Sequence, residues 1–247
     1  MERKTLREKN KDRRKRRISG KRTLLLLCLL PCLLFGCAKA PGINTESEES
    51  QGDKLLEAGS YQEAADLYQQ KIDGGEGSEE NYRRLGIAWM GLGDYNKAAA
   101  AFETALSEAG IVPGDTEYDI NYYLGSCYDK LGDYEAALKV YDAIVTLRPK
   151  DADAIELRGA VKMQMGDTDG MQEDFSKAIA LEPSNYDRLL SVYSAMSQNG
   201  YDTEGKVYLQ NALDKYSDSM SSYDRGRIAY YVGDYETART NLEQMQS

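Results

Sequence analysis

Apolar residues recur along this chain in pairs of helical stripes, each pair interrupted by a glycine. Tyr82, Leu85 and Trp89 stand at i, i+3 and i+7, and after Gly93 the residues Ala98, Phe102 and Ala105 repeat the spacing. Each set puts its side chains on one face of an α-helix. Equivalent glycines stand at Gly59, Gly93, Gly132, Gly166, Gly200 and Gly233, separated by 34, 39, 34, 34 and 33 residues. A period near 34 predicts helical hairpins that bury their apolar faces on one another. In three of the turns the residues are Gly-Asp-Tyr, at Gly93-Asp94-Tyr95, Gly132-Asp133-Tyr134 and Gly233-Asp234-Tyr235. A left-handed residue ends the first helix of each pair, which is why glycine marks the turn. Pro149 and Pro183 stop second helices, because proline cannot continue them.

Two units carry the repeat most fully. One has Tyr82, Leu85-Gly86, Trp89, Gly93-Asp94-Tyr95, Ala98, Phe102 and Ala105; the next has Asn121, Leu124-Gly125, Tyr128, Gly132-Asp133-Tyr134, Ala137, Tyr141, Ile144 and Pro149. These positions resemble the tetratricopeptide repeat family, with Asn121 replacing the usual aromatic. The resemblance covers residues 52–247 and implies an all-α, right-handed superhelical solenoid of about six hairpins. The units fall near 52–74, 79–112, 118–151, 152–185, 186–218 and 219–247, the first helix of the first unit beginning in the acidic segment before it. Gly86 and Ala98 let paired helices approach closely. The fifth unit inverts the pair: Tyr193 takes the glycine position and Gly205 the alanine position, which conserves contact volume. The 39-residue interval reflects a longer connection from Ala109 to Asp115, rich in glycine and proline. Solenoids of this kind normally end in a polar capping helix, and none follows the last unit. Leu242 and Met245 are then expected to lie partly bare, leaving an end that frays or self-associates.

Charge divides the chain in two. Residues 1–36 carry 12 basic and 3 acidic side chains, a net of +9, whereas 37–247 carry 19 and 38, a net of -19. The basic residues crowd 1–22, and an uncharged, Leu-rich run fills 23–36. A basic flank followed by a short apolar core predicts a secretory signal peptide over 1–36. The run is shorter than the roughly 20 residues a spanning helix needs. It ends in Leu34-Phe35-Gly36-Cys37, which resembles the lipobox of bacterial lipoproteins, although Phe35 is bulkier than usual there. The resemblance implies diacylglycerol and palmitate on Cys37, cleavage before it, and a cell-membrane location facing the extracytoplasmic side. An uncleaved signal anchor would leave the same topology. Arg16-Arg17 resembles a twin-arginine signal, but the core is more hydrophobic than such signals usually are, which favours the general secretory route. Residues 37–51 form the lipidated cysteine and an acidic, aperiodic tether.

The residue types exclude much chemistry. There is no histidine, so the commonest general base and metal ligand are both missing. No catalytic triad, phosphate loop or zinc motif can be assembled. Gly74-Gly75-Glu76-Gly77 lacks a following lysine and reads as a loop. Asp167-Thr168-Asp169-Gly170 bears a weak likeness to a calcium loop but sits at a repeat turn. Glu48-Glu49 and Glu79-Glu80 read as solvated charge, and Cys127 as an inert buried thiol. The expectation is a non-enzyme with no cofactor, no metal and no nucleic-acid partner.

What remains is the concave face. By resemblance, a protein or peptide ligand is held by first-helix residues: Arg83, Ile87 and Met90; Tyr122, Ser126, Asp129 and Lys130; Glu156, Ala160 and Met163; Leu190, Ser194 and Gln198; and Tyr223, Arg227, Tyr230 and Tyr231. The competing reading is that they pack between hairpins. The carboxylate clamp of chaperone-binding members is absent, since Arg83 has only Ile87 and Tyr122 as companions. The expected role is a membrane-anchored scaffold; the alternative is an assembly subunit of a cell-envelope machine for pilus, secretion or outer-membrane barrel assembly.

Overall fold

A computed structural model describes residues 48–110 and 114–243. The signal peptide, the lipobox with Cys37, the tether up to residue 47, residues 111–113 of the long connection, and Met245 lie outside the described residues. Within them the chain forms twelve α-helices and no strand. They are α1 (Glu48–Glu57), α2 (Tyr61–Asp73), α3 (Glu79–Gly91), α4 (Tyr95–Glu108), α5 (Asp115–Leu131), α6 (Tyr134–Leu147), α7 (Ala152–Gln164), α8 (Thr168–Leu181), α9 (Tyr186–Gln198), α10 (Asp202–Tyr216), α11 (Ser222–Val232) and α12 (Tyr235–Glu243). Odd and even helices pair as six antiparallel hairpins. The first begins at Glu48, inside the segment assigned to the tether.

The Gly-Asp turn performs two jobs in two residues. All six turn glycines sit at positive φ, between 72° and 101°. At Gly132 this lets the N–H reach the carbonyls of Tyr128 and Asp129 and close α5. The following Asp133 then caps α6, its carboxylate accepting from the Ala136 N–H at 3.1 Å. Asp94, Asp167 and Asp234 cap their helices in the same way. Asp167 thus serves as the cap at a repeat turn.

Inside five of the six hairpins the first-helix glycine faces an aromatic or leucine one turn beyond the small-residue position of the second helix. A Cβ on Gly86 would lie 2.6 Å from the Phe102 ring, and one on Gly125 would lie 2.7 Å from Tyr141. Gly52 meets Tyr68, Gly159 meets Phe175 and Gly226 meets Leu242 in the same sense. The inversion in the fifth hairpin is real: a Cβ on Gly205 would stand 3.0 Å from Tyr193. Tyr193 then donates its hydroxyl to Asp202 at 2.9 Å.

The core is a string of five clusters, one at each junction between hairpins. Ala64, Tyr68, Leu85 and Ala88 join the first two hairpins, and Phe102, Ile120, Leu124 and Cys127 join the next. Tyr141, Ile144, Ile155 and Val161 follow, then Met171, Phe175, Val192 and Met196, then Tyr193, Leu209, Met220 and Ile228. Burial raises the Cys127 thiol to about 11, so it stays protonated at neutral pH. Helices α8 and α9 meet through side chains and make few close backbone approaches. Leu242 is half-buried against Gly226.

Ion pairs cross all five junctions as well. Arg84 binds Asp53, Arg83 binds Asp119, Arg158 binds Asp142, Arg188 binds Asp153 and Glu156, and Arg227 binds Asp187. Arg158 also grips the fully buried Asp174, at 2.6 and 2.9 Å, with Lys162 at 2.8 Å. Glu79 and Glu80 are not simply solvated. Glu80 pairs with Arg83 and Arg84. One Glu79 oxygen is buried without a hydrogen-bond partner, and burial beside the Glu117 carboxylate pushes its pKa up.

Candidate functional site

The candidate surface is carried by helices α3, α5, α7, α9 and α11. Most are fixed at their starts by side-chain caps: Ser78, Asp151, Asn185 and Ser221 each accept from the N–H three residues on, at 3.0 to 3.2 Å. The start of α5 is held instead by the Gly114 N–H donating to Glu117 at 2.7 Å. Caps and turn glycines together set each helix's rotation, and so which residues reach the face.

The expected residues divide into two groups. In the second to fourth hairpins, packing and ion pairing claim most of them. Ile87 and Met90 lean on the Phe102 cluster, and Ala160 on the Phe175 cluster. Met163 is buried in that same cluster, which corrects its assignment to the groove. Tyr122 is half-buried and directed at Asp151; burial first, then this hydrogen bond, raises its pKa. Glu156 is spent on Arg188 at 2.5 Å and on the Ser191 hydroxyl at 3.0 Å. Arg83 is tied to Glu80 and Asp119. Ser126 and Asp129 are half-buried, and Lys130 is exposed.

The second group comes together. A cleft of about 580 Å³ between α9 and α11 is lined by Leu190, Ser194 and Gln198 on one side and Tyr223, Arg227 and Tyr231 on the other. Asp187, Ser191, Tyr193 and Ser197 complete the lining. These four were missed, although they lie one turn from the expected residues on the same helical stripe, a spacing visible in the sequence. Ring contacts run Tyr193–Tyr231–Tyr230–Tyr235, with centroids 5.4, 5.5 and 5.7 Å apart. Tyr223, Tyr230, Tyr231 and Tyr235 are all exposed. Arg227 lies over the Tyr223 ring at 4.8 Å and pairs with Asp187 at 2.6 Å and Asp224 at 2.7 Å. The arrangement offers ring faces, hydroxyls and one amide to a ligand, a mixture suited to gripping an extended chain. A smaller cavity of about 170 Å³, among α4, α5 and α6, contains none of the expected groove residues.

Among the described residues, no group of three or more Cys, Asp or Glu could hold a metal ion. No helix among them is long and apolar enough to cross a membrane.

Comparison with known proteins agrees with this architecture. Tetratricopeptide repeat models match residues 83–152 and 152–185. Curated relatives include the BBSome complex member BBS4 of Bos taurus, 22% identical over 147 residues, and that of Xenopus tropicalis, 27% identical over 131. These matches cover 59% and 53% of this chain but only 27% and 24% of the relatives, so the chain spans about a quarter of their length. Among solved structures, MamA residues 41 to the end from Desulfovibrio magneticus RS-1 superposes with TM-score 0.58 at 21% identity, covering 74% of this chain and all of that one. YrrB, described as a TPR protein with an unusual peptide-binding site, superposes with TM-score 0.53 at 20% identity, covering 71% and 89%. Residues 83–185 are therefore tetratricopeptide repeats, set within an all-helical solenoid whose flanking hairpins continue the same construction.

Proposed function

We propose that this chain is an exported, lipid-anchored scaffold that holds a protein or peptide segment on its first-helix face and performs no catalysis of its own. The observation that carries the reading is the tyrosine-lined cleft between α9 and α11, where exposed rings and hydroxyls converge without an assigned occupant. Structural likeness to YrrB, whose description names a peptide-binding site, supports the same use of the fold. Anchoring rests on Leu34-Phe35-Gly36-Cys37 and the basic, Leu-rich segment before it. A diacylglycerol supplies two buried chains at about 0.8 kcal/mol per methylene, enough for stable attachment where a single chain gives only marginal binding. Attachment then concentrates the cleft near membrane-bound partners.

The test has two arms. A photo-cross-linking amino acid replaces Tyr231 in the cleft or Glu204 on α10, and cells are irradiated intact. A discrete adduct from position 231 alone is expected; equal or absent labelling at both positions overturns the binding-face reading. Separately, a palmitate analogue should label the wild-type chain and not Cys37→Ala, with the variant lost from the membrane fraction. Labelling that survives in the variant overturns the anchor.

A further inference from the structure

The cleft and its continuation along the first helices have a charge pattern that names the chemistry of an occupant. At three of the five junctions, the second, fourth and fifth, an arginine is sunk into the array while its carboxylate stands out. Arg83 is 21% exposed and Asp119 59%; Arg188 is 7% and Asp153 73%; Arg227 is 23% and Asp187 81%. The three aspartates occupy one repeat position, six residues before Gly125, Gly159 and Tyr193, and recur every 34 residues. Each gives one oxygen to its arginine in these pairs, and a carboxylate has about four acceptor sites. At these three positions the carboxylates therefore face solvent, with the arginines beneath them.

The last of these aspartates, Asp187, opens directly into the 580 Å³ cleft beside Tyr223 and Tyr231. Ring faces next to a carboxylate suit a cation on an aliphatic stem: the stem lies along the tyrosine and the charged head reaches the carboxylate. The surrounding body strengthens this choice, since residues 37–247 carry a net charge of -19. That field draws basic chains in and repels both acidic partners and a second copy. Arg227 is the one cation lining the cleft, and Asp187 and Asp224 already neutralise it.

We propose that the occupant of this face is an extended polypeptide segment bearing lysine or arginine at intervals, with one basic side chain seated between Tyr223, Tyr231 and Asp187. This deepens the scaffold reading and rests on it.

The test uses the full chain in non-ionic detergent micelles and fluorescence anisotropy of labelled peptides. The probes are a Lys-Ala-Ser repeat peptide and its counterparts with Gln or Glu in place of Lys. The lysine peptide alone should bind, and binding should weaken as salt rises from about 0.05 to about 0.2 M, where the screening length shortens to below roughly 10 Å. Asp187→Asn should weaken it about three- to five-fold, the scale of one partly exposed ion pair. Glu204→Gln, an identical change of net charge on α10, should leave it unchanged. Equal losses in the two variants would reduce the effect to diffuse attraction and overturn the proposal. Preferential binding of the Gln or Glu peptide overturns the charge inference while leaving the scaffold reading standing. Binding of none of the three, with helical circular dichroism intact, counts against both.

Discussion

At the scale of single residues, the array is held in register by positions that tolerate almost nothing else. Gly86 is the clearest. Its missing side chain leaves room for Phe102, and a methyl group there would have to share space with a ring 2.6 Å away. Gly86→Ala gains up to about 1 kcal/mol of helix propensity but incurs about 1–3 kcal/mol of overpacking. A net loss of about 1 kcal/mol is expected in chemical denaturation, and Phe102→Leu introduced alongside should recover much of it. Equal stability of the single variant and wild type would mean that the hairpin can open without cost. The turn aspartates show how a short motif becomes geometry: glycine closes one helix and the next residue opens another. This is why Gly-Asp-Tyr was readable from sequence, as a backbone requirement leaves a residue-type signature.

Between elements the governing contacts are those that cross from one hairpin to the next, and these were the hardest to foresee. Met163 falls on a first-helix position that resemblance assigns to the groove, yet it is buried with Met171, Phe175, Val192 and Met196. Arg83 and Arg227, placed on the groove by resemblance, are paired across junctions with Asp119 and Asp187, although Arg227 still lines the cleft. Helical periodicity reports which residues share a face, not how far one hairpin is offset from its neighbour, and the offset decides both outcomes. Asp174 is the sharpest test at this scale. It is buried, and Arg158 and Lys162 converge on it while Arg158 also reaches back to Asp142 of the preceding hairpin. Asp174→Asn removes the buried carboxylate that two largely buried cations share, leaving Arg158 with the more exposed Asp142, and a loss of about 3 kcal/mol is expected in urea unfolding. A loss below about 1 kcal/mol would show that water replaces the carboxylate.

For the molecule as a whole, stability is distributed over five junctions and lacks a single centre, so solution conditions act on many small terms together. Four carboxyls are held below their ordinary range: Asp94 chiefly by Lys97, Glu182 by Asn185, Asp202 by Lys206 and Asp234 by Thr237. A carboxyl with a lowered folded-state pKa stabilises the fold above its unfolded value, near 4, and the contribution is lost as pH falls through the folded value. The melting temperature should therefore hold nearly level from pH 7 to about 4.5 and drop below about 4. A steady decline beginning near pH 6 would contradict this, because no histidine is present to titrate there. The overall hairpin plan was legible from the 34-residue period alone. The cleft was legible in part: its six expected residues carry the resemblance, whereas its depth depends on how α9 and α11 lean together.

The exchange of Tyr193 and Gly205 reaches beyond the fifth hairpin. Everywhere else the small residue belongs to the first helix, so a unit copied from another place and inserted here would arrive with its knob and its socket on the opposite rods. Neither half of the swap can revert alone: shrinking Tyr193 leaves a hole and enlarging Gly205 jams the joint, so the two must change together. The repeats are accordingly not interchangeable beads. Duplicating or deleting hairpins to lengthen this protein is expected to succeed among the second to fourth units and to fail wherever the cut separates that inverted couple.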